Sequence, residues 1–362
     1  MPGPAADESV HARLASLNSS PDLLPQKLDL IGRRALLLEV DERRYREAPF
    51  LDDRVIDENT TGFWVDLEAL PEPDVGKPAP DPRWIFHIGH CGSTLLSRLL
   101  PAACPLLPVR EPPPLRTLAE SLRVLTQPVS RLSESQWRAL LSRFVSLYSR
   151  TYRHDEPALI KPTSDCGNLI RLVMEDRPAS RSVLMFQSLE TYLAIMMDGA
   201  DARMDIEGHA VTRLSDFHDY VDDHEHLRLY ELAPAHRVVI SWLAGVTSFH
   251  KAMQECADDL RPLDFDRLLE DPRHVLTEVM AFLGLPVDKS RIAAAVDGPV
   301  MQTYAKAPEY RYGPTDRAAR LAENRTRSGA EIERGLRWAT SLVERYPSLE
   351  PVVDAFPLTY AD

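Results

Sequence analysis

Positive charge is in short supply: 42 Lys and Arg face 55 Asp and Glu, a formal net charge of −13 over 362 residues. That deficit argues against a nucleic-acid binder, which needs a basic face. An anionic ligand must then be held by a local cationic pocket against the field of the whole chain. Cysteine is equally sparse. Cys91, Cys104, Cys166 and Cys256 form no Cys-x-x-Cys pair and no regular framework, so reduced thiols in a cytoplasmic protein are expected. No apolar run approaches the roughly 20 residues a membrane-spanning helix needs, so no membrane association is expected. The opening residues, Met-Pro-Gly-Pro-Ala-Ala-Asp-Glu, lack the basic and apolar regions of a secretory leader. No internal repeat is present. What the chain does have is 44% hydrophobic residues, enough for a sizeable core.

One stretch organises the rest. Trp84-Ile-Phe-His-Ile88 has the length and apolarity of a buried parallel strand. It breaks at Gly89-His90-Cys91-Gly92-Ser93-Thr94 and resumes with Leu95, Leu96, Leu99 and Leu100, one apolar face of a helix. Strand, tight glycine loop and helix N-terminus together make an anion cradle, with backbone N–H groups, the helix dipole and two hydroxyls directed at a phosphate. The loop is not a Walker A sequence: it is shorter and has no lysine before the hydroxyls. Taken alone, it also fits an ordinary strand–helix turn.

Further apolar runs follow at Cys104–Arg110, Ala158–Pro162, Ser182–Phe186 and Leu260–Phe265, separated by helical patterns such as Trp137, Leu140, Leu141, Phe144, Val145 and Tyr148. Strands alternating with helices predict an α/β fold, a parallel sheet with helices on both faces. Ligands of such sheets sit outside the carboxyl ends of the strands. Gly89–Thr94, Glu111, Lys161 and Gln187 all fall at those ends.

The pattern predicts three regions. Residues 1–82 are an N-terminal part, with a short helix or loosely ordered arm over 1–28, two strands at Arg34–Val40 and Gly62–Leu67, and a Pro-rich linker over 70–82. Residues 83–290 are the core, in which Asp271-Pro272 starts a helix and Gly284 stops it. Within it, the stretch 198–235 carries ten Asp and Glu against three Arg, with His218, His224 and His226. It reads as a solvated acidic insertion or as a lid. Residues 291–362 read as helical, with a polar loop bearing Lys306, Arg311, Arg325 and Arg327.

Several of these pieces resemble the sulfotransferase superfamily. His90-Cys-Gly-Ser-Thr-Leu-Leu is similar to its 5′-phosphosulfate loop, commonly Arg/Lys-Ser-Gly-Thr/Ser-Thr. Ile160-Lys161-Pro162-Thr163 resembles its Lys-Thr-Pro or Lys-Asp-Pro strand end. Arg181-Ser-Val-Leu-Met-Phe-Gln-Ser-Leu-Glu-Thr-Tyr takes the place of the strand and helix that hold the 3′-phosphate. Leu263-Asp-Phe-Asp-Arg-Leu-Leu-Glu-Asp-Pro, running on to Phe282-Leu-Gly-Leu-Pro, is similar to a further family segment.

The resemblance implies a P-loop-like enzyme that moves a sulfuryl group from 3′-phosphoadenylyl sulfate to a hydroxyl or amine, without a metal. It implies that Gly89, His90, Cys91, Gly92, Ser93, Thr94 and Leu95 hold the 5′-phosphate. It further implies that Lys161 meets the leaving oxygen, Glu111 is the base, and His90 replaces the loop's usual cation. The family's 3′-phosphate arginine falls at Gln187 and its serine at Ile195. Neither can pair a phosphate as arginine does, so Arg181, Lys306, Arg311, Arg325 and Arg327 are candidate substitutes, and Arg110 is a candidate acceptor- or phosphate-binding cation. Two other readings remain open: an ATP–Mg²⁺ phosphotransferase in the same cradle, and a non-catalytic binding or scaffolding relative. The acceptor, a small molecule or a peptide, and the oligomeric state are not legible.

Overall fold

The computed structural model describes residue 14, residues 16–73 and residues 80–360. Half of the N-terminal arm and the middle of the Pro-rich linker lie outside the described residues. Three antiparallel strands come first, β1 (Leu23–Asp29), β2 (Arg34–Glu39) and β3 (Gly62–Asp66), in that order across a small sheet. β1 corrects the expected helix or arm. Pro25, which hides the strand in the sequence, sits where the β1–β2 register shifts, a position that tolerates a missing N–H.

The core sheet is five parallel strands: β4 (Arg83–His87), β5 (Leu107–Arg110), β6 (Ala158–Lys161), β7 (Arg181–Phe186) and β8 (Leu260–Asp264). Their order is β5-β6-β4-β7-β8, with helices on both faces. Burial on both faces explains the unbroken apolar runs: Trp84, Ile85 and Phe86 are at most 1% exposed. The chain leaves β4 toward β5 and leaves β7 toward β8, in opposite directions, which opens a crevice at the strands' carboxyl ends.

The acidic stretch is not simply a solvated face. It forms the helix Ala200–Val221, whose Ala202, Ile206, Ala210, Leu214 and Phe217 make a buried stripe that packs on the helix Pro234–Cys256. After the core come a hairpin, β9 (Thr303–Tyr304) with β10 (Ala307–Arg311), and the helix Pro314–Arg345. The hairpin was not apparent in the sequence. Asp271 caps its helix by accepting from the His274 amide at 3.1 Å, and Gly284 stops it at φ 66°. Ser164 and Asp165 open a 3₁₀ turn (Ser164–Leu169) with no capping hydrogen bond. No helix among the described residues is long and apolar enough to cross a membrane.

Buried polar side chains tie the N-terminal sheet to the core. Tyr148 donates to the Pro25 carbonyl at 2.7 Å, Arg143 to that of Leu67 at 2.8 Å, and Arg150 to that of Leu23 at 2.9 Å. Arg110 serves the same purpose and is not a ligand cation. At 2% exposure it donates to Ser97 Oγ (3.1 Å) and to the carbonyls of Ser97, Tyr45, Arg46 and Ala48. Burial among neutral acceptors pushes its pKa down to about 9. Arg110→Met would leave those acceptors unpaired in the interior. It is expected to cost about 3 kcal/mol or more, read as a lowered denaturation midpoint with an unchanged slope.

Candidate functional site

β4 ends at His87, and the backbone then turns through three left-handed residues, Gly89 (φ 85°), His90 (φ 52°) and Gly92 (φ 72°). Gly92 begins the helix Ser93–Ala103, which has no side-chain cap. Its first N–H groups are therefore available to an external acceptor. Glycine is needed at Gly92 for space as well as for φ: a Cβ there would lie 2.0 Å from the Phe265 ring.

His87 anchors the loop from below. The Gly89 amide donates to its Nδ1 at 3.1 Å, so Nδ1 carries no proton and Nε2–H faces the Pro162 carbonyl at 3.0 Å. The ring is neutral, as its burial and the nearby Lys161 both require. Lys161 lies 3.4 Å from Nε2, a contact without a proton to share, and pairs with Glu111. Lys161 is fully buried, and burial holds its pKa below the ordinary lysine range while Glu111 opposes that shift.

Glu111 is a second left-handed non-glycine residue (φ 54°), with its amide donating to the Lys161 carbonyl at 2.6 Å. Such backbone is strained and gathers at functional sites. Its other oxygen is 3.9 Å from Arg54, which stacks on Phe50 at 3.5 Å. The N-terminal part thus contributes a wall.

These groups open on a cleft of about 930 Å³. Of the candidate residues, Gly89, His90, Gly92, Ser93, Thr94, Leu95 and Glu111 line it, as does Ile195. Cys91, Lys161 and Gln187 lie behind its surface: Cys91 donates its thiol to the Met185 carbonyl at 3.2 Å, and Lys161 sits beneath Glu111. His90 is not the loop's cation in this structure. Burial, and then the neighbouring Lys306, push its pKa down to about 4, so it is neutral near pH 7.

The cleft's cations come from the far end of the chain. Lys306, in the turn between β9 and β10, and Arg311 line it and make no ion pair among the described residues. Arg317, which the sequence reading missed, reaches Gln187 Oε1 at 3.4 Å, pairs with Asp266 at 2.6 Å and lies over the Phe265 ring at 4.8 Å. The other candidates are committed elsewhere: Arg325 to Glu190 (2.9 Å), Arg327 to Asp198 (2.7 Å) and Arg181 to the Phe282 carbonyl (2.6 Å).

A further residue was overlooked in the acidic helix. His209 lines the cleft with Nδ1 3.3 Å from Asp205 and Nε2 3.3 Å from Asp165. The Asp205 hydrogen bond leads the causes that raise its pKa. Its spacing of four residues from Asp205 was the available signal. Of the three histidines noted in that segment, His226 pairs with Asp223 at 2.8 Å and His218 meets His224 ring to ring. No group of three or more His, Cys, Asp or Glu poised for a metal occurs among the described residues.

No protein-family model matches the chain, and no curated protein matches it. Solved structures do. A sulfotransferase domain from the curacin biosynthetic pathway is 12% identical, with a TM-score of 0.37 over 70% of this chain and 99% of that one. Sulfotransferase STF1 from Mycobacterium tuberculosis H37Rv is 15% identical, with a TM-score of 0.36 over 68% and 76%. A sulfotransferase from Alicyclobacillus acidocaldarius is 14% identical, with a TM-score of 0.33 over 72% and 97%. What this chain is similar to among solved structures is sulfotransferases, at low identity.

Proposed function

We propose that the cleft binds 3′-phosphoadenylyl sulfate and that the protein transfers its sulfuryl group to a hydroxyl or amine acceptor. The observation that carries this reading is the uncapped helix N-terminus at Gly92–Leu95, in a cleft also lined by Lys306 and Arg311, which make no ion pair among the described residues. The residues fit two separate phosphates. Loop amides, Ser93, Thr94 and Lys306 suit one of them. Arg317 beside Gln187 suits the other, in place of the arginine that the strand end lacks.

When bound, the donor supplies a sulfuryl group on a phosphate leaving group. The chain's own residues then have distinct tasks. The loop amides fix the phosphate against the strand ends, so that reacting atoms meet in one orientation. Glu111, on the cleft wall, is placed to take the acceptor's proton. Lys161, beneath it, is placed to balance negative charge gathering at the cleft floor. Glu111 and Lys161 hold each other in this structure, so each becomes available when the other is released. His87 keeps the floor neutral and rigid.

Calorimetric titration with adenosine 3′,5′-bisphosphate, AMP, ADP and ATP–Mg²⁺ tests the reading. Metal-independent binding of the bisphosphate, tighter than AMP, is expected. Arg317→Met should weaken the bisphosphate by about tenfold or more, the scale of a charge-assisted hydrogen bond, and leave AMP nearly unchanged. Preference for ATP–Mg²⁺ would establish the phosphotransferase instead. Absence of binding to all four would favour a non-catalytic protein.

A further inference from the structure

The cleft's cations are not equally free. Lys306 and Arg311 line it with no ion pair among the described residues. Arg317 is already engaged by an acid, its Nη1 lying 2.6 Å from Asp266 Oδ1. Charge and charge meet there without the alignment of a hydrogen bond.

Asp266 is itself held in place. Thr191 Oγ1 donates to its other oxygen at 3.3 Å, and Ser188 Oγ donates to Thr191 Oγ1 at 3.2 Å. Ser188 and Thr191 are at most 2% exposed, so the carboxylate can leave the guanidinium only by giving up a buried partner. A second acid stands behind it. Asp264, at the end of β8, accepts from the Asp266 amide at 2.7 Å and from the Arg267 amide at 3.1 Å, while its Oδ2 is buried with no hydrogen-bond donor among the described residues. Burial pushes the pKa of Asp264 up to about 6; among nearby side chains Asp266 adds to the rise and Arg317 opposes it. At neutral pH one guanidinium therefore serves two carboxylates, and the group as a whole is negative.

A phosphate arriving at Arg317 gains a charge-assisted hydrogen bond. It also comes up beside a carboxylate that is using the same cation, and two anions sharing one cation weaken each other's hold. The position of Arg317 does not rest on Asp266 alone. Gln187 Oε1 accepts from it at 3.4 Å, and its guanidinium carbon lies 4.8 Å over the Phe265 ring. Removing the charge of Asp266 thus frees the guanidinium without releasing the side chain.

Resting on the sulfuryl-transfer reading, we propose that Asp266 competes with the nucleotide's 3′-phosphate for Arg317, and so sets how tightly a nucleotide bearing that phosphate is held relative to one without it. The bisphosphate left after sulfuryl transfer still carries the 3′-phosphate, and a shared cation lets it go sooner.

The test is calorimetric titration of the full chain with adenosine 3′,5′-bisphosphate and with AMP, for wild type, Asp266→Asn, Arg317→Met and the double variant. Asp266→Asn keeps the side chain's shape and leaves the Asp264 bond to its amide intact. It should tighten the bisphosphate about tenfold and change AMP by less than about twofold. Placed on Arg317→Met, the same substitution should gain no more than about twofold. Asp264→Asn should give a smaller gain in the same direction, and serves where Asp266→Asn fails to fold. Unchanged or weaker bisphosphate binding by Asp266→Asn would overturn the proposal, because Asp266 would then be an anchor of Arg317 and not its competing ligand. An equal gain for AMP would overturn it, as would the full gain without Arg317 or no bisphosphate binding by either wild type or Asp266→Asn. The donor reading is judged on wild type alone. Bisphosphate binding without the gain leaves that reading standing and ends this one, whereas a preference for ATP–Mg²⁺ together with the gain does the reverse.

Discussion

Lys161→Met is expected to lower kcat by about 10²–10³, the usual effect of removing one group that balances transition-state charge, while adenosine 3′,5′-bisphosphate affinity changes only a few-fold. The split is expected because Lys161 lies beneath the cleft surface, behind Glu111, and so contributes little to holding the ground state. Stability must be separated from chemistry here. Breaking a buried ion pair strands its partner at a cost of about 3–5 kcal/mol, and among the described residues Glu111 keeps only Arg54, at 3.9 Å. The double variant Lys161→Met/Glu111→Gln should recover most of the lost melting temperature and none of the turnover. Turnover of the single variant at the wild-type rate would remove Lys161 from the mechanism.

Gly92→Ala should be the most damaging single methyl in the protein. The residue needs φ 72°, and the added Cβ would sit 2.0 Å from an aromatic ring carbon of Phe265. Left-handed backbone at an alanine costs about 1–2 kcal/mol, and overpacking adds about 1–3 kcal/mol. The loop can relieve the clash only by moving its amides off the phosphate position. We expect bisphosphate affinity to fall by at least about 100-fold, with a clear loss of melting temperature. Gly89→Ala provides the control: its Cβ would meet only Ser164, at an ordinary 3.5 Å, so it should suffer backbone strain without the clash. Equal effects of the two would show that φ alone, and not the ring, governs the loop.

The parts of the site that were readable from sequence are those built by neighbours in the chain. β4, the loop and its helix lie within one stretch of apolar periodicity, and Glu111 and Lys161 mark where apolar runs stop. Arg110 and Glu111 show the limit of that logic. They are adjacent, and the run's end does not say which one turns inward; only the contacts with Tyr45, Arg46 and Ala48 decide it. Acidity masks the stripe from Ala202 to Phe217, because charged and polar residues fill most of the positions between its members. Arg317 could not have been found at all. It acquires its role from a partner far away in the chain, and nothing local marks it.

Gln187 and Arg317 meet across 130 residues. During synthesis the last core strand is complete at Asp264, yet the basic side of the cleft is still to be made. A nascent chain halted there has its sheet and its loop but lacks the cations from Lys306 onward. A ligand stabilises only the state that binds it, so on the proposed function the stabilisation that a bisphosphate draws from Arg317 would come only once the last elements dock. On the proposed function, bound nucleotide would hold the end of the chain to the core, and a product truncated at Asp264 would gain nothing through Arg317.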